Sequence, residues 1–481
     1  MMEARKILIH GEWIDSSSHE LIDVVNPSTG CIIAKIPNCG ESDVEDTVQS
    51  SIIGFKIWRT TPAEKRAAII HTAANLLRQN AKKVASEITS EMGKPPKSAL
   101  CEVYDAADVF DFFAEEGLRI KGDIYQHNHA NEQVQVVKEP VGIVVSITAA
   151  NYPVALLSWK LGAALACGCS VIAKPDECST TAAFSIGHLF LEAGLPAGVL
   201  NILSGTGRTG ELLVQHPNVN KIAFTGSVAT GKKVAAVAAG TCKRVSLELG
   251  GQCPAIITDG IIPAEIIDKF IYQTFKNSGQ HCYRINRAYV HTNIYDEFVR
   301  LLVDRLQKMS IDKDDESAVH QGPLYHKKIF DHAIEQIDDA TKKGAIILTG
   351  GKQMPSEPNT YYIEPTILTN ATHEMLFMKD ESFAPILAIM KVVSLSEAIS
   401  YANDSIYGLA SYVYTPDTGL GLQVARQLET GVVWVNQIHK AYSFAPFGGM
   451  KQSGYGREKS AYGLDEYLET KTVYLALPSL D

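Results

Sequence analysis

Two periodicities divide the chain. Between residues 42 and 119, apolar residues such as Ala68, Ile69 and Leu76 recur at helical spacing and predict amphipathic helices over 42–57, 62–91 and 97–119. Short strands and turns over 7–36 precede them, with Asn26-Pro27-Ser28-Thr29-Gly30 as one turn. Residues 133–138 alternate polar and apolar side chains, which predicts a half-exposed strand closed by Pro140.

From Val141 the pattern changes to continuous apolar runs separated by helical ones. Strands are predicted over 142–148, 170–174, 199–203, 221–225 and 243–249, with helices over 153–166, 179–193, 209–215 and 229–239. Pro153 sits in a first helical turn, where its missing N–H costs nothing. Such a series predicts a doubly wound parallel sheet that binds its ligand at the carboxyl ends of the strands. Lys174, Gly205, Thr225 and Glu248 all fall at such ends. Beyond Gly251 a second α/β set follows: strands 254–258, 288–291, 345–349 and 431–436, with helices 264–276, 294–308 and 325–341. The segment 470–475 reads as an edge strand that a partner subunit could cover.

A chain of 481 residues exceeds one ordinary core, so two large domains with a small appendage are expected. A net charge of −10 without any Lys/Arg-rich run excludes a nucleic-acid partner. Nine cysteines without a CxxC pair indicate neither a disulfide framework nor a metal site, and a reducing, cytoplasmic setting follows. The N-terminus lacks an apolar core of signal-peptide length, and the most apolar segment, 154–173, is interrupted by Lys160, so no membrane span is expected.

Two glycine motifs are less than they look. Gly205-Thr206-Gly207-Arg208-Thr209-Gly210 matches GxGxxG, yet it follows the third strand of its series and no ribose-binding acid lies at the usual distance. The stretch from Gly226 to Lys232 approaches a P-loop, but Lys233 stands where a Ser or Thr would hold magnesium.

Candidate chemistry centres on Cys282, in Asn277-Ser278-Gly279-Gln280-His281-Cys282, after a helical stretch reaching Asn277 and a glycine turn whose N–H groups could stabilise a thiolate. Glu248, in Glu248-Leu249-Gly250-Gly251, is a carboxylate between a strand and a Gly-Gly turn, placed to act as a general base. The two stretches, in this order with Cys282 34 positions after Glu248, closely resemble the aldehyde dehydrogenase superfamily, above all its succinate-semialdehyde dehydrogenase-like members.

That resemblance implies a Rossmann-type coenzyme domain (1–125 and 145–250), an α/β catalytic domain (251–440) and a small β oligomerisation arm (126–144 and 466–481), assembled as a homodimer or homotetramer. It implies an NAD-dependent enzyme, with NADP possible, that oxidises an aldehyde through a Cys282 thiohemiacetal and thioester. Asn151 and the Cys282 N–H would hold the oxyanion, Glu248 would activate water, and Lys160 with Glu458 would carry protons out. Asn151 also reads as a helix N-cap before Pro153. Coenzyme contacts would come from Ile147, Thr148, Lys174, Glu177, Gly207, Phe224, Thr225, Gly226, Ser227, Leu249 and Gly250. Glu381 and Phe383 would meet the nicotinamide ribose and ring, in a stretch where Ala384 replaces the usual glycine. Tyr152, Leu156, Trp159, Lys276, His281, Tyr283, Ser443 and Phe447 would line the substrate pocket. Succinate-semialdehyde dehydrogenases usually carry arginines where Trp159 and Lys276 stand, so carboxylate recognition would be looser, and Lys276 could instead face solvent. A broad-specificity aldehyde dehydrogenase, a coenzyme A-acylating relative and a non-catalytic relative are the alternatives.

Overall fold

The computed structural model describes residues 3–125, 131–308, 322–355 and 357–478. Its frame is two mostly parallel sheets. In the first, Ile143–Ile147, Ser170–Lys174 and Lys221–Thr225 are buried almost throughout, which is why they read as unbroken apolar runs instead of alternating ones. The order across this sheet is Glu12–Ile14, Ile7–Ile9, Leu200–Ile202, Ser170–Lys174, Ile143–Ile147, Lys221–Thr225, Arg244–Glu248 and Gly454–Tyr455.

Register sets the functional edge. Ile147 pairs with Lys174 and with Phe224, and Thr225 pairs with Glu248, so the carboxyl ends of four parallel strands are level. The chain winds outward from Ile143–Ile147 through Ser170–Lys174 to Leu200–Ile202, then returns to place Lys221–Thr225 on the other side of Ile143–Ile147. That reversal is a topological switch point, where open α/β sheets leave a crevice.

The second sheet runs Ile346–Thr349, Thr366–Thr369, Ile386–Val392, Arg287–His291, Pro254–Ile257, Ala410–Tyr414 and Val432–Val435, and only its first strand is antiparallel to its neighbour. Its helices include Pro263–Phe275, whose buried face of Ile266, Ile267, Phe270 and Ile271 packs on the sheet's core.

Two expectations need correction. The helix expected over 62–91 is two helices, Ala63–Gln79 and Ala81–Met92, because the Asn80 side chain donates to the Leu76 carbonyl and competes with the helical ladder. The strand over 133–138 extends to Glu132–Pro140, and Pro140 lies within it opposite Leu468. Its partner is the C-terminal strand Leu468–Ala476 of the same chain, which keeps its other side free as the edge strand expected over 470–475. Asp123–Tyr125 completes this sheet on its far side, and residues 126–130 and 479–481 of the expected arm lie outside the described residues. Open edges remain along Asp123–Tyr125 and Leu468–Ala476, where Ile124 is 67% and Tyr474 79% exposed.

No helix among the described residues is long and apolar enough to cross a membrane. Nor, among them, does any group of three or more His, Cys, Asp or Glu side chains gather as a metal site would require.

Candidate active site

A strained turn delivers the cysteine. The helix Pro263–Phe275 stops one residue short of the helix expected over 264–276, and Asn277 and Ser278 take left-handed backbone angles (φ 52° and 55°) that non-glycine residues rarely adopt. Side chains pin the turn from within. Asn277 Nδ2 donates to the Gln280 carbonyl at 3.1 Å, Ser278 Oγ to the Gly322 carbonyl at 2.7 Å, and Gln280 Nε2 to the Pro323 carbonyl at 3.2 Å. Cys282 emerges from this turn into a cavity of about 740 Å³ that is also lined by Thr225 and Glu248 at the carboxyl ends of the first sheet.

The same cavity is lined by Glu248, the last residue of the strand Arg244–Glu248, and by Asn151. Glu248 is 5% exposed, and its Oε1 has no hydrogen-bond partner. Burial, then repulsion from Glu458, holds its carboxyl well above the usual carboxylate range. Burial also pushes the Cys282 thiol well up, with the Glu248 charge adding to it. Desolvation therefore opposes the thiolate that the turn amides favour, and in both groups burial favours the uncharged form. Lys160 pairs with Glu458 and donates to Thr225 Oγ1 at 2.7 Å, which fixes a buried cation behind Glu248.

Asn151 Nδ2 donates to the Gln280 carbonyl at 3.0 Å, tying it to the cysteine turn and leaving its second amide proton for the cavity. It is not a helix cap. Tyr152 occupies the cap position of the helix Pro153–Cys167, and Glu102 Oε1 accepts instead from the N–H groups of Val154 (3.0 Å) and Ala155 (3.2 Å). Lys94, ion-paired with Glu102 in the core, donates to the Asn151 carbonyl at 2.8 Å and so holds both sides of this loop.

On one side of Cys282 the cavity is made of strand ends. Thr225, Gly226 and Ser227 line it, joined by Leu249, Gly250, Glu381 and Phe383. Ser227 caps the helix Val228–Ala239 by accepting from the Thr230 N–H at 3.3 Å, so a helix N-terminus opens here. Glu381 Oε1 accepts from the Gly251 N–H at 3.0 Å, and a Cβ on Gly250 would stand 2.1 Å from Glu381 Oε2, so the glycine is required for the carboxyl to dock. Burial raises Glu381 to about 7. Ile147 and Thr148 end the central strand, Phe224 is buried beneath Thr225, and Lys174 and Glu177 form a 3.5 Å ion pair at the end of the neighbouring strand. Gly207 opens the helix Gly207–Gln215 with free space where a Cβ would be. Level strand ends, an open helix N-terminus, a Lys-Glu pair and a buried carboxyl cradled on a Gly-Gly turn fit a dinucleotide.

The other side is made of side chains. Tyr152, Leu156, Trp159, Lys276 and Tyr283 line it. Phe447 stands behind, 5.6 Å from Trp159 and 5.8 Å from Tyr283 between ring centroids. His281, expected to line the pocket, lies outside the lining: it is buried behind Tyr283, 4.7 Å between ring centroids, with both ring nitrogens unpartnered, and burial holds it well below the usual imidazole range. Ser443 is half-buried and lies outside the lining, its carbonyl accepting from the Ser460 N–H at 2.8 Å. The Lys276 ammonium lies 4.8 Å from the Tyr283 centroid and 5.2 Å from that of Tyr272, inside the cavity and not out in solvent. Arg284 turns away, donating to the carbonyls of Ser382 (3.0 Å) and Ile386 (2.6 Å). Sequence reasoning missed Asp105, His439 and Lys459, which also line this side. Lys459 directly follows Glu458, but its direction has no signature in the sequence.

A thiol, a buried carboxyl and an amide donor at the mouth of a doubly wound crevice define an enzyme of covalent acyl chemistry beside a dinucleotide site. The Aldehyde dehydrogenase family pattern matches residues 13–473, and the chain belongs to that family. It is 39% identical to the mitochondrial succinate-semialdehyde dehydrogenase of Arabidopsis thaliana, covering 97% of this chain and 88% of that one. It is 35% identical to the succinate-semialdehyde dehydrogenase [NADP(+)] GabD of Escherichia coli (strain K12), covering 98% of both. The crystal structure of succinate-semialdehyde dehydrogenase from Burkholderia pseudomallei superposes with a TM-score of 0.95 at 35% identity, over 98% of each chain.

Proposed function

We propose that the protein oxidises a small semialdehyde, with succinate semialdehyde as the leading single substrate, to the carboxylic acid with NAD as the preferred coenzyme and NADP as a second. When bound, the coenzyme supplies the hydride acceptor. Ser227, the first turn of Val228–Ala239, Lys174, Glu177, Glu381 and Phe383 would hold it. Glu248 in its ionised form takes the Cys282 proton, and the sulfur adds to the aldehyde carbon, forming a thiohemiacetal. The Asn151 amide and the Cys282 N–H stabilise the oxygen as it gains charge. After the hydride is lost, the acyl group remains on sulfur as a thioester. Glu248, once ionised, takes a proton from water, whose oxygen attacks the acyl carbon and expels the Cys282 sulfur. The Lys160–Glu458 pair beside Glu248 provides the next proton position outward.

The observation that carries this reading is the unpartnered Glu248 carboxyl lining one cavity with Cys282. It also favours hydrolysis over acyl transfer to coenzyme A, because water is a far weaker acid and nucleophile than a thiol and depends more on a general base. The test is coenzyme reduction over a panel of aldehydes, with and without coenzyme A. Rapid turnover on succinate semialdehyde, unaffected by coenzyme A, is expected. Turnover only with coenzyme A, or none with any aldehyde, rejects the reading.

A homodimer or homotetramer is the proposed assembly, supported by the open strand edges at Asp123–Tyr125 and Leu468–Ala476 and by the exposed Ile124, Tyr125 and Tyr474 beside them. A monomeric mass by light scattering with activity retained contradicts it. Nine free cysteines support a reducing, cytoplasmic setting, which fractionation of the source cells checks.

A further inference from the structure

One residue of the substrate side is held in a conformation its side chain disfavours. Lys459 has φ 60° and ψ 176°, and Ser460 after it has φ 55°. A glycine would take such angles freely, whereas a lysine takes them only when its surroundings impose them. They do so from both sides. Glu458 exchanges backbone hydrogen bonds with Phe447 at 2.8 and 2.9 Å, and the Ser460 N–H donates to the Ser443 carbonyl at 2.8 Å. The strain therefore aims one long cationic side chain.

Its ammonium ends in the substrate side of the cavity, 4.9 Å from the Trp159 centroid and 5.7 Å from that of Phe447. Lys459 is 3% exposed, and its ammonium has no hydrogen-bond or ion-pair partner among the described residues. Lys276 stands across the same aromatic cluster, over Tyr283, and among the described residues its ammonium also lacks such a partner. A buried Lys459 and a half-buried Lys276, neither with a hydrogen-bond or ion-pair partner among the described residues, put two ammonium groups on the walls of one aromatic slot, where an anion would answer them. Burial lowers Lys276 to about 7 and Lys459 to about 8. Asp105, raised to about 6 by burial, is the carboxylate that acts on both lysines. With Asp105 ionised, the three groups leave one net positive charge, which matches a single carboxylate. Glu458 and Glu248 also face Lys459, but Glu458 is already paired with Lys160.

We propose that Lys459 is a specificity-determining residue which, together with Lys276, binds the distal carboxylate of the aldehyde. The inference rests on the semialdehyde reading above and adds the group that reads the carboxylate. The aromatic slot takes the methylene chain, and the two ammonium groups take the charge at its end, offsetting the missing bidentate fork of an arginine.

Succinate semialdehyde and butanal have the same carbon count and differ in the terminal carboxylate, so the ratio of their kcat/KM values isolates its recognition. The test measures that ratio in wild type, Lys459→Met, Lys459→Gly and Lys459→Arg. Methionine keeps the length and the backbone strain while removing the charge; glycine removes both. We expect wild type to favour succinate semialdehyde, both uncharged variants to lose about 10- to 100-fold of that preference through KM, and arginine to retain most of it. Lys459→Gly should also melt at a higher temperature than Lys459→Met, because it relieves the strained backbone. A wild type that favours succinate semialdehyde, with a ratio unchanged in both uncharged variants, overturns the role of Lys459 and leaves the substrate reading standing. A loss shared equally by both aldehydes overturns it too, since Lys459 would then be acting on Glu248. A wild type without preference overturns the substrate reading and this inference together.

Discussion

The two halves of the crevice are built by different means. On the coenzyme side, position comes from backbone: level ends of parallel strands, a helix N-terminus, and a carboxyl docked on a Gly-Gly turn. Its charged groups are already answered within the chain, Lys174 by Glu177 and Glu381 by the Gly251 N–H. On the substrate side, position comes from side chains on the helices Pro96–Gly117 and Pro153–Cys167, the cysteine turn and the loops near 440 and 459. There two lysines have no hydrogen-bond or ion-pair partner among the described residues, and one carboxylate, Asp105, acts on both. A half satisfied by itself suits a ligand shared by many enzymes, whereas a half with unmet charge selects among ligands by supplying what they lack.

The sharpest way to break this comparison is at its dividing line. Cys282→Ser should lower aldehyde oxidation by at least about 1,000-fold, because a serine hydroxyl is a far weaker nucleophile near neutral pH. Coenzyme affinity, measured by fluorescence titration, should stay within about twofold, since only the substrate half reacts with the sulfur. Retained turnover would remove the covalent route altogether.

Next comes the substrate half alone. Lys276→Ala should reduce the preference for succinate semialdehyde over butanal by about 10- to 100-fold while the two coenzymes keep their relative kcat/KM. An unchanged aldehyde ratio would return the pocket to general aldehyde binding. The same lysines set a pH dependence. Both are cationic below their lowered pKa values, near 7 and 8, and lose the proton as pH rises through them. The kcat/KM ratio of succinate semialdehyde to butanal should therefore fall by about tenfold between about pH 6.5 and about pH 9.5. Effects on Cys282 and Glu248 are common to both aldehydes and cancel. A ratio that is flat or rises with pH contradicts charge recognition.

The smallest effect belongs to the coenzyme half. Glu177 is 39% exposed at its side chain and tempered by Lys174, so Glu177→Gln should reduce the NAD over NADP preference by only about tenfold. A wild type that prefers NADP would refute the repulsion argument.

Legibility in the sequence follows the same division. The five parallel strands of the first sheet are legible to within a residue or two because burial leaves continuous apolar runs, and their carboxyl ends locate Lys174, Thr225 and Glu248 by counting, whereas the edge strand Gly454–Tyr455 carries no such run. Cys282 is legible through its stretch, but its protonation state is not, since desolvation depends on what covers it. Asn80 splits a helix through one side-chain hydrogen bond that periodicity does not register. The mutual pairing of Glu132–Pro140 and Leu468–Ala476 joins residues more than 300 positions apart, which no local pattern encodes. Asp105 and Lys459 come from opposite ends of the chain into one pocket, and Lys459 does so through a backbone angle that sequence alone gives no reason to expect.

The central claim is a covalent route in which Cys282 carries the acyl group and Glu248 releases it. Glu248→Gln keeps the volume of the carboxyl and loses its basicity, so hydride transfer should proceed once and hydrolysis should stall. Mixing this variant with succinate semialdehyde and NAD, then quenching and mapping peptides by mass spectrometry, reads the claim directly. The account predicts about one equivalent of reduced coenzyme per active site, with an acyl adduct on the peptide that contains Cys282. Steady turnover without an adduct, or an adduct on the neighbouring Cys253 instead, would contradict it.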